Sequence, residues 1–234
     1  MQDTIRRVHE GHTMRVRSQR LATWLATVAL ILGYPAAGSA QAPPGVTAPP
    51  RRDLRIVVIS DLNSAYGSTS YEAQVGRAIA LIPAWKPDLV LSGGDMVAGQ
   101  KTALSDGRVE AMWQAFDRQI FAPLRRSGIP FGFTLGNHDG SGERAFRRDR
   151  TLATAFWNDP AHDPGLTFVD RSGFPFYYSF VQRGVFFLVW DATTARIPSD
   201  VLAWAERSPA SAAASGAKTR IALAHLPLLG LAIG

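Results

Sequence analysis

Hydrophobic residues of this chain occur in short continuous runs, which are separated by segments of helical periodicity. The continuous runs span residues 54–59, 88–91 and 129–135. A run without polar alternation is typical of a strand that is buried on both faces. Helical periodicity is found over residues 71–82 and 108–126, and more helix is expected between residues 142 and 157. This order predicts an α/β domain in which these strands are parallel.

The pattern changes in the last third of the chain. Apolar runs at residues 176–181 and 185–190 flank a Gln-Arg-Gly segment, which predicts a β-hairpin, so an antiparallel element is expected to join the sheet. A short helix is predicted over residues 199–207, and another buried strand over residues 219–224. The predicted fold class is therefore α/β with a mixed sheet.

The first 42 residues have the organisation of a signal peptide. Three arginines precede an apolar stretch at residues 21–32, and small residues follow at 36–42. As a helix the apolar stretch would span about 18 Å, short of the roughly 30 Å of bilayer hydrocarbon. A cleaved signal peptide is favoured over an uncleaved anchor, with Met14 as a possible true start. We expect a periplasmic or secreted protein that meets the membrane only through this signal.

The remaining chain divides into a predicted linker at the proline-rich residues 43–52 and a predicted domain at residues 53–234. The amino-acid composition narrows the classes of function for this domain. Hydrophobic residues make up 46% and charged residues 19%, which indicates a globular domain. The chain has no cysteine, so any metal must be bound by Asp, Glu, His or Asn side chains. The formal net charge of the full chain is +6, of which +3 belongs to residues 1–42, and the remaining +3 suits a small anionic substrate. No nucleic-acid partner is expected. The oligomeric state is not predicted.

Polar side chains follow four of the predicted strands at the point where each strand ends. They are Asp61, Asn63, Asp95, Asn137, His138, Asp139 and His225. In α/β sheets such strand ends form sites, and neighbouring strands lie only about 4.8 Å apart. Each residue alone could instead cap a turn or fill a core, but together their donors suit Mn²⁺, Fe or Zn²⁺.

Segments 61–63, 94–95 and 136–139, together with His225, resemble the ordered motifs of calcineurin-like metallophosphoesterases. The resemblance extends over residues 54–225. It implies a β-sandwich flanked by helices, with two divalent metal ions as cofactors. It also implies hydrolysis of a phosphomonoester or phosphodiester by a metal-bound hydroxide.

The same resemblance implies a role for each metal ligand. Asp61 would bind the first metal, and Asp95 would bridge the two metals. Asn137 and His225 would bind the second metal. The family usually has Asp-x-His at the first motif, whereas this chain has Asn63 in place of the histidine, as in a bacterial subgroup. Asn63 could still offer an amide oxygen to the first metal.

The resemblance assigns catalytic rather than metal-binding roles to the adjacent residues His138 and Asp139. His138 would protonate the leaving group or steady the phosphate, and Asp139 would orient and charge the imidazole ring. The Gly-His-x-His element of the family does not occur between His225 and Gly234, so we expect a domain truncated at its C-terminus. An inactive remnant that binds metal or phosphate weakly is the alternative, and a nuclease is less favoured.

Overall fold

The computed structural model describes residues 47–227. The predicted signal peptide and the possible start at Met14 lie outside these residues, as does the first part of the predicted linker. Within them, no helix combines the length and the apolar character that a membrane crossing requires.

The described residues contain seven strands in two sheets. The strands are β1 (Ile56–Ile59), β2 (Leu89–Ser92), β3 (Phe131–Phe133), β4 (Thr167–Gly173), β5 (Tyr177–Gln182), β6 (Val185–Val189) and β7 (Thr219–Leu223). The first sheet is parallel, with the order β1-β2-β3. The second has the order β4-β5-β6-β7, and only its β6–β7 pair is parallel.

Helices connect the strands of the first sheet and flank the second. They are α1 (Ala73–Leu81), α2 (Asp106–Phe116), α3 (Ala122–Arg126), α4 (Asn137–Gly140), α5 (Arg147–Asn158), α6 (Ser199–Arg207) and α7 (Ala212–Ser215). Short 3₁₀ turns span Ile82–Trp85, Arg144–Phe146, Pro160–His162 and Ser208–Ala210, and a π-helical segment, Asp117–Phe121, joins α2 to α3. Helix α2 begins after Ser105, whose hydroxyl accepts a hydrogen bond from Arg108 N at 3.2 Å.

Aromatic packing fixes the helical layer on one face of the first sheet. The rings of Phe133 on β3 and Trp157 on α5 are stacked with centroids 3.9 Å apart. Trp113 on α2 contacts Trp157 edge-on at 6.2 Å, and all three side chains are buried. Such large apolar surfaces dominate the burial that stabilises a domain, so this layer holds the loops that follow the sheet.

The two sheets pack face to face as a β-sandwich. Leu89 and Leu91 of β2 share a buried cluster with Tyr178 and Phe180 of β5 and with residues of β6. The Tyr178 hydroxyl accepts a hydrogen bond from the main-chain amide of Phe133 at 2.9 Å, which ties β5 to β3. The predicted α/β class and the helix-flanked sandwich are confirmed.

The predicted position of the hairpin was wrong in one respect. Strands β5 and β6 belong to the second sheet and do not join the parallel one. The sequence prediction lacked β4, whose charged residues Asp170 and Arg171 and interrupted register hide its strand character. With β4 on one side and β7 on the other, the hairpin has hydrogen-bonding partners of its own.

Candidate functional site

The turns that follow β1 and β2 place two aspartates side by side. Asp61 and Asp95 both have left-handed backbone conformations, with φ of 53° and 52°. Aspartate tolerates this region better than most residues that carry a side chain. Asp61 N donates to Gly94 O at 3.0 Å, and Asn63 N donates to Asp95 O at 3.1 Å. The two turns are therefore hydrogen-bonded to each other at the carboxyl end of the parallel sheet.

Two glycines allow the segments of this site to approach one another closely. A Cβ at Gly94, where φ is +104°, would lie 2.7 Å from His225 Nδ1. A Cβ at Gly136 would lie 2.0 Å from Asp95 Oδ1. Neither contact is sterically possible, so a side chain at either position would force the turns apart.

Four of the predicted residues come together at this edge. One potential ligand atom from each of Asp61, Asp95 and His225 lies within 4.8 Å of the others, the one such cluster among residues 47–227. His225 Nε2 lies 2.9 Å from Asn137 Oδ1 and 3.5 Å from Asp95 Oδ1. His225 follows β7 and Asn137 follows β3, so the centre is built across both sheets.

Outer hydrogen bonds orient the two donors that face each other. His225 Nδ1 lies 2.8 Å from the carbonyl oxygen of Gly93, which places the ring proton on Nδ1 and leaves an electron pair on Nε2. Asn137 Nδ2 donates to Gln100 Oε1 at 2.7 Å, which turns the amide oxygen toward His225. An imidazole nitrogen, an amide oxygen and carboxylate oxygens with no hydrogen between them fit a divalent cation.

His138 lies beside this cluster without belonging to it. Its Nε2 is 3.9 Å from Asp95 Oδ2, and its main-chain amide donates to Asp95 Oδ1 at 3.0 Å. The Tyr66 ring lies over the imidazole with centroids 5.1 Å apart. His138 Nδ1 is buried and has no hydrogen-bond partner among residues 47–227. The imidazole is thus held by packing and presents Nε2 toward the cluster.

The Asp139 carboxyl group accepts hydrogen bonds from main-chain amides and is not hydrogen-bonded to a His138 ring nitrogen, and its role in orienting and charging that ring stays a prediction. Asp139 Oδ1 accepts from Val97 N at 2.8 Å, and Oδ2 accepts from Gly136 N at 2.8 Å. Both residues lie in the single turn α4, where adjacent side chains point in different directions. Burial, aided by the charge of Asp95, raises the pKa of the Asp139 carboxyl to about 8. Asp139 therefore ties the loop after β2 to the loop after β3.

Asn63 is held next to the cluster by a hydrogen bond of its main chain. Its amide donates to Asp95 O at 3.1 Å, and its side-chain Nδ2 donates to Val97 O at 3.4 Å. These bonds hold the residue against the turn that carries Asp95. A metal-binding role for the Asn63 side-chain oxygen stays a prediction.

Gln100 and Tyr66 contribute to the site although the sequence did not single them out. Gln100 bonds a residue 37 positions away in the chain, and no local pattern announces such a contact. Gln100 has a left-handed backbone conformation, with φ of 59°, and its main-chain amide donates a hydrogen bond to the buried Asp149 carboxylate. Both features fix its position. Tyr66 is 55% exposed, a feature that only the folded chain reveals.

Comparison with known proteins identifies a family for the chain. The family model described as calcineurin-like phosphoesterase matches residues 54–233, well over half of the chain. No curated protein matches it. The chain is similar to the structure of a purple acid phosphatase from yellow lupin (Lupinus luteus) seeds, with 18% identity and a TM-score of 0.49. That similarity covers 73% of this chain and 30% of the phosphatase, so the chain spans less than a third of that protein's length.

Proposed function

Because the chain belongs to the calcineurin-like phosphoesterase family, we propose that it hydrolyses phosphomonoesters or phosphodiesters at the strand-end cluster. The observation that carries the proposal is the convergence of His225 Nε2 with Asn137 Oδ1 at 2.9 Å and Asp95 Oδ1 at 3.5 Å. These are unprotonated donors held in place from outside, as a metal centre requires. A small phosphate ester is the proposed substrate.

The proposed cofactors are two divalent metal ions of the Mn, Fe or Zn class. Asp61 and Asn63 would hold the first, Asn137 and His225 the second, and Asp95 would contact both. When bound, such ions activate water and neutralise charge on the phosphoryl oxygens. The donor set of two carboxylates, amides and one imidazole fits ions of this class and leaves no need for thiolate ligands.

The protein's own groups then position the ester. His138 Nε2 lies on the rim of the cluster, 3.9 Å from Asp95 Oδ2, with the side chain 22% exposed. From there the imidazole can donate a proton to the leaving-group oxygen or a hydrogen bond to a phosphoryl oxygen. The Asp139 carboxyl group supports this arrangement because it binds main-chain amides of both the loop after β2 and the loop after β3.

We place this activity outside the cytoplasm, in the periplasm or the medium. The signal-peptide pattern of residues 1–42 supports this placement. On the same basis we propose that the protein contacts the membrane only through this signal peptide. Fusion of these residues to a reporter enzyme that is active only after export tests the proposal. A reporter that stays in the cytoplasm would contradict it.

Hydrolysis is tested with the full chain loaded with Mn²⁺, using p-nitrophenyl phosphate, bis-p-nitrophenyl phosphate and a simple alkyl phosphate. Asp95→Ala should lower the rates by at least about a hundredfold, because the variant removes an oxygen donor from the cluster. The exposed Asp163→Ala serves as the matched control and should retain activity. Equal rates for the wild type and Asp95→Ala would exclude this site. Absence of turnover together with weak metal binding would favour the inactive remnant.

His138→Ala separates the two roles proposed for that imidazole. A general acid contributes about 10²–10⁴-fold, and mostly for poor leaving groups. If His138 is the proton donor, the alkyl phosphate should lose far more rate than p-nitrophenyl phosphate, whose leaving group needs no proton. Equal losses for both substrates would instead indicate that the ring steadies the phosphate.

A further inference from the structure

An open cavity of about 680 Å³ lies between the segment that follows α4 and the loop that follows β6. Gly142 and Glu143 line it from the first segment, and residues 193–198 line it from the second. An adjoining cavity of about 360 Å³ shares Gly142 and Glu143 and adds Arg144 and Arg147. Volumes of this size are typical of sites for small molecules.

The base of the cavity is a fixed hydrogen-bond network. Arg150 Nη2 donates to the buried Asp191 Oδ2 at 2.6 Å, and Nη1 donates to Gly140 O at 3.0 Å. Thr193 Oγ1 donates to Asp191 Oδ1 at 2.8 Å and accepts from Gly142 N at 3.0 Å. The charges of Arg150 and Asp191 therefore offset each other, and the network braces the walls rather than adding net charge.

One wall continues directly from a segment that carries a candidate metal ligand, and the other is hydrogen-bonded to such a segment. Helix α4 begins at Asn137 and ends at Gly140, whose carbonyl oxygen binds Arg150. On the other wall, Ala192 O accepts a hydrogen bond at 3.2 Å from the main-chain amide of Leu226, which is the residue that follows His225 in the chain. The two walls are thus connected, through the main chain and through one hydrogen bond, to the segments of the proposed hydrolytic centre.

The rest of the lining of the two adjoining cavities, taken together, carries an excess of positive charge. Arg144, Arg147 and Arg196 are exposed, and among residues 47–227 no carboxylate lies within ion-pair distance of any of them. Glu143 is the acidic side chain that remains after the Arg150–Asp191 pair. Three arginines against one glutamate leave two positive charges, so the lining favours an anionic ligand.

We propose that the two adjoining cavities hold the alcohol portion of the phosphate ester and favour esters whose alcohol portion carries a second anionic group, a phosphate or a carboxylate. The inference rests on the proposed function. Arg144, Arg147 and Arg196 are the specificity-determining residues, and the braced pair Arg150–Asp191 keeps the walls in place. Because these arginines are exposed, each contributes modestly and the preference weakens with added salt.

The test compares three substrates with the full chain loaded with Mn²⁺: hydroxybutyl phosphate, phosphooxybutyrate and butanediol bisphosphate. The wild type should have a kcat/KM about tenfold higher for the two esters with a second charge at low salt. Replacing all three arginines by glutamine should reduce that ratio to about one, mainly because kcat/KM falls for the two esters with a second charge. The order of the two charged esters shows which anionic group is preferred.

Arg126→Gln is the matched control, because Arg126 ends α3 before the amino end of β3, at the edge opposite the centre. It should retain the full preference. Equal kcat/KM for all three esters in the wild type would overturn the proposal, as would a preference that survives the triple substitution. If no ester is hydrolysed, the proposed function fails on its own. The cavity proposal is then tested by calorimetry, which compares the affinity of the full chain for butane bisphosphonate with its affinity for butylphosphonate. Tighter binding of the bisphosphonate that the triple variant loses supports the cavity, and equal binding overturns it.

Discussion

His225 Nε2 lies 2.9 Å from the amide oxygen of Asn137, although the two residues follow strands of different sheets. The opposite atom of each side chain is already engaged, with Gly93 O at 2.8 Å for the imidazole and Gln100 Oε1 at 2.7 Å for the amide. The two atoms that face each other are therefore both electron-pair donors. A bound cation resolves this repulsion, and the fold supplies the carboxylate of Asp95 next to them.

Gln100→Ala should weaken binding of Mn²⁺ by about 10- to 100-fold, because Asn137 loses the acceptor that orients its amide oxygen. Isothermal titration calorimetry measures the change, and thermal unfolding without metal should be little affected. Gln119→Ala is the matched control, since Gln119 makes a similar side-chain bond to the Thr69 carbonyl oxygen on the surface. Equal affinities in both variants would mean that the Asn137 orientation is irrelevant to metal binding.

Asp139→Asn should lower the free energy of unfolding by about 1–3 kcal/mol. An asparagine oxygen can accept from Val97 N or Gly136 N, and its NH₂ group would then face the other amide. Chemical denaturation in the presence of a chelator measures this effect apart from metal binding. Asp163→Asn, which alters one exposed bond to Gly165 N, should cost less. Unchanged stability with hydrolysis lost would instead support the predicted role of Asp139 in charging His138.

The position of Tyr66 over His138 predicts a graded effect on turnover. Tyr66→Ala removes the ring 5.1 Å from the imidazole and should lower kcat by about two- to tenfold, whereas Tyr66→Phe should keep most of it. Equal kcat in both variants would show that the ring does not position His138.

The environment of Asp88, a buried residue away from the site, predicts that the stability of the fold depends on pH. Burial acts to raise the pKa of Asp88, but bonds from Arg55 N and Arg51 and the charge of Arg183 outweigh it and hold the pKa below its ordinary 3.8. A lowered folded-state pKa contributes stability above the ordinary pKa, and that contribution is lost as the pH falls through the folded value.

Asp88→Asn should therefore lower the free energy of unfolding by about 1–3 kcal/mol at neutral pH, because it removes the charged acceptor that Arg55 N, Arg51 and Arg183 share. The difference from the wild type should shrink as the pH falls below about 4. Urea denaturation across this pH range measures it, with the exposed Asp53→Asn as control. A difference that grows toward acid pH would mean that the folded-state pKa of Asp88 is raised and not lowered.

Local signals in the sequence were sufficient for the elements that carry the chemistry. The short helix predicted at residues 199–207 occurs as Ser199–Arg207, and the parallel strands lie within two residues of their predicted bounds. Continuous apolar runs identify such strands because both faces are buried. The turns that follow them were therefore correctly located, although β7 reaches the site from the second sheet.

Features that depend on contacts distant in the chain were beyond the sequence patterns. Strand β4 is recognised only by its pairing with β5, since the adjacent charges of Asp170 and Arg171 interrupt its apolar residues. The orientation of Asp139 depends on α4 being a helical turn, in which Asp139 and His138 diverge. Gln100 acquires its role only because β2 and β3 bring their following loops together.

Anomalous scattering from crystals of the full chain soaked in Mn²⁺ tests the metal centre most directly. We expect manganese within about 2.5 Å of His225 Nε2, the Asn137 amide oxygen and a carboxylate oxygen of Asp95. The peak should disappear in crystals of His225→Ala and persist in His162→Ala, whose imidazole packs on Phe156. Manganese bound at other residues, with these three atoms left without a metal, would contradict the proposed centre.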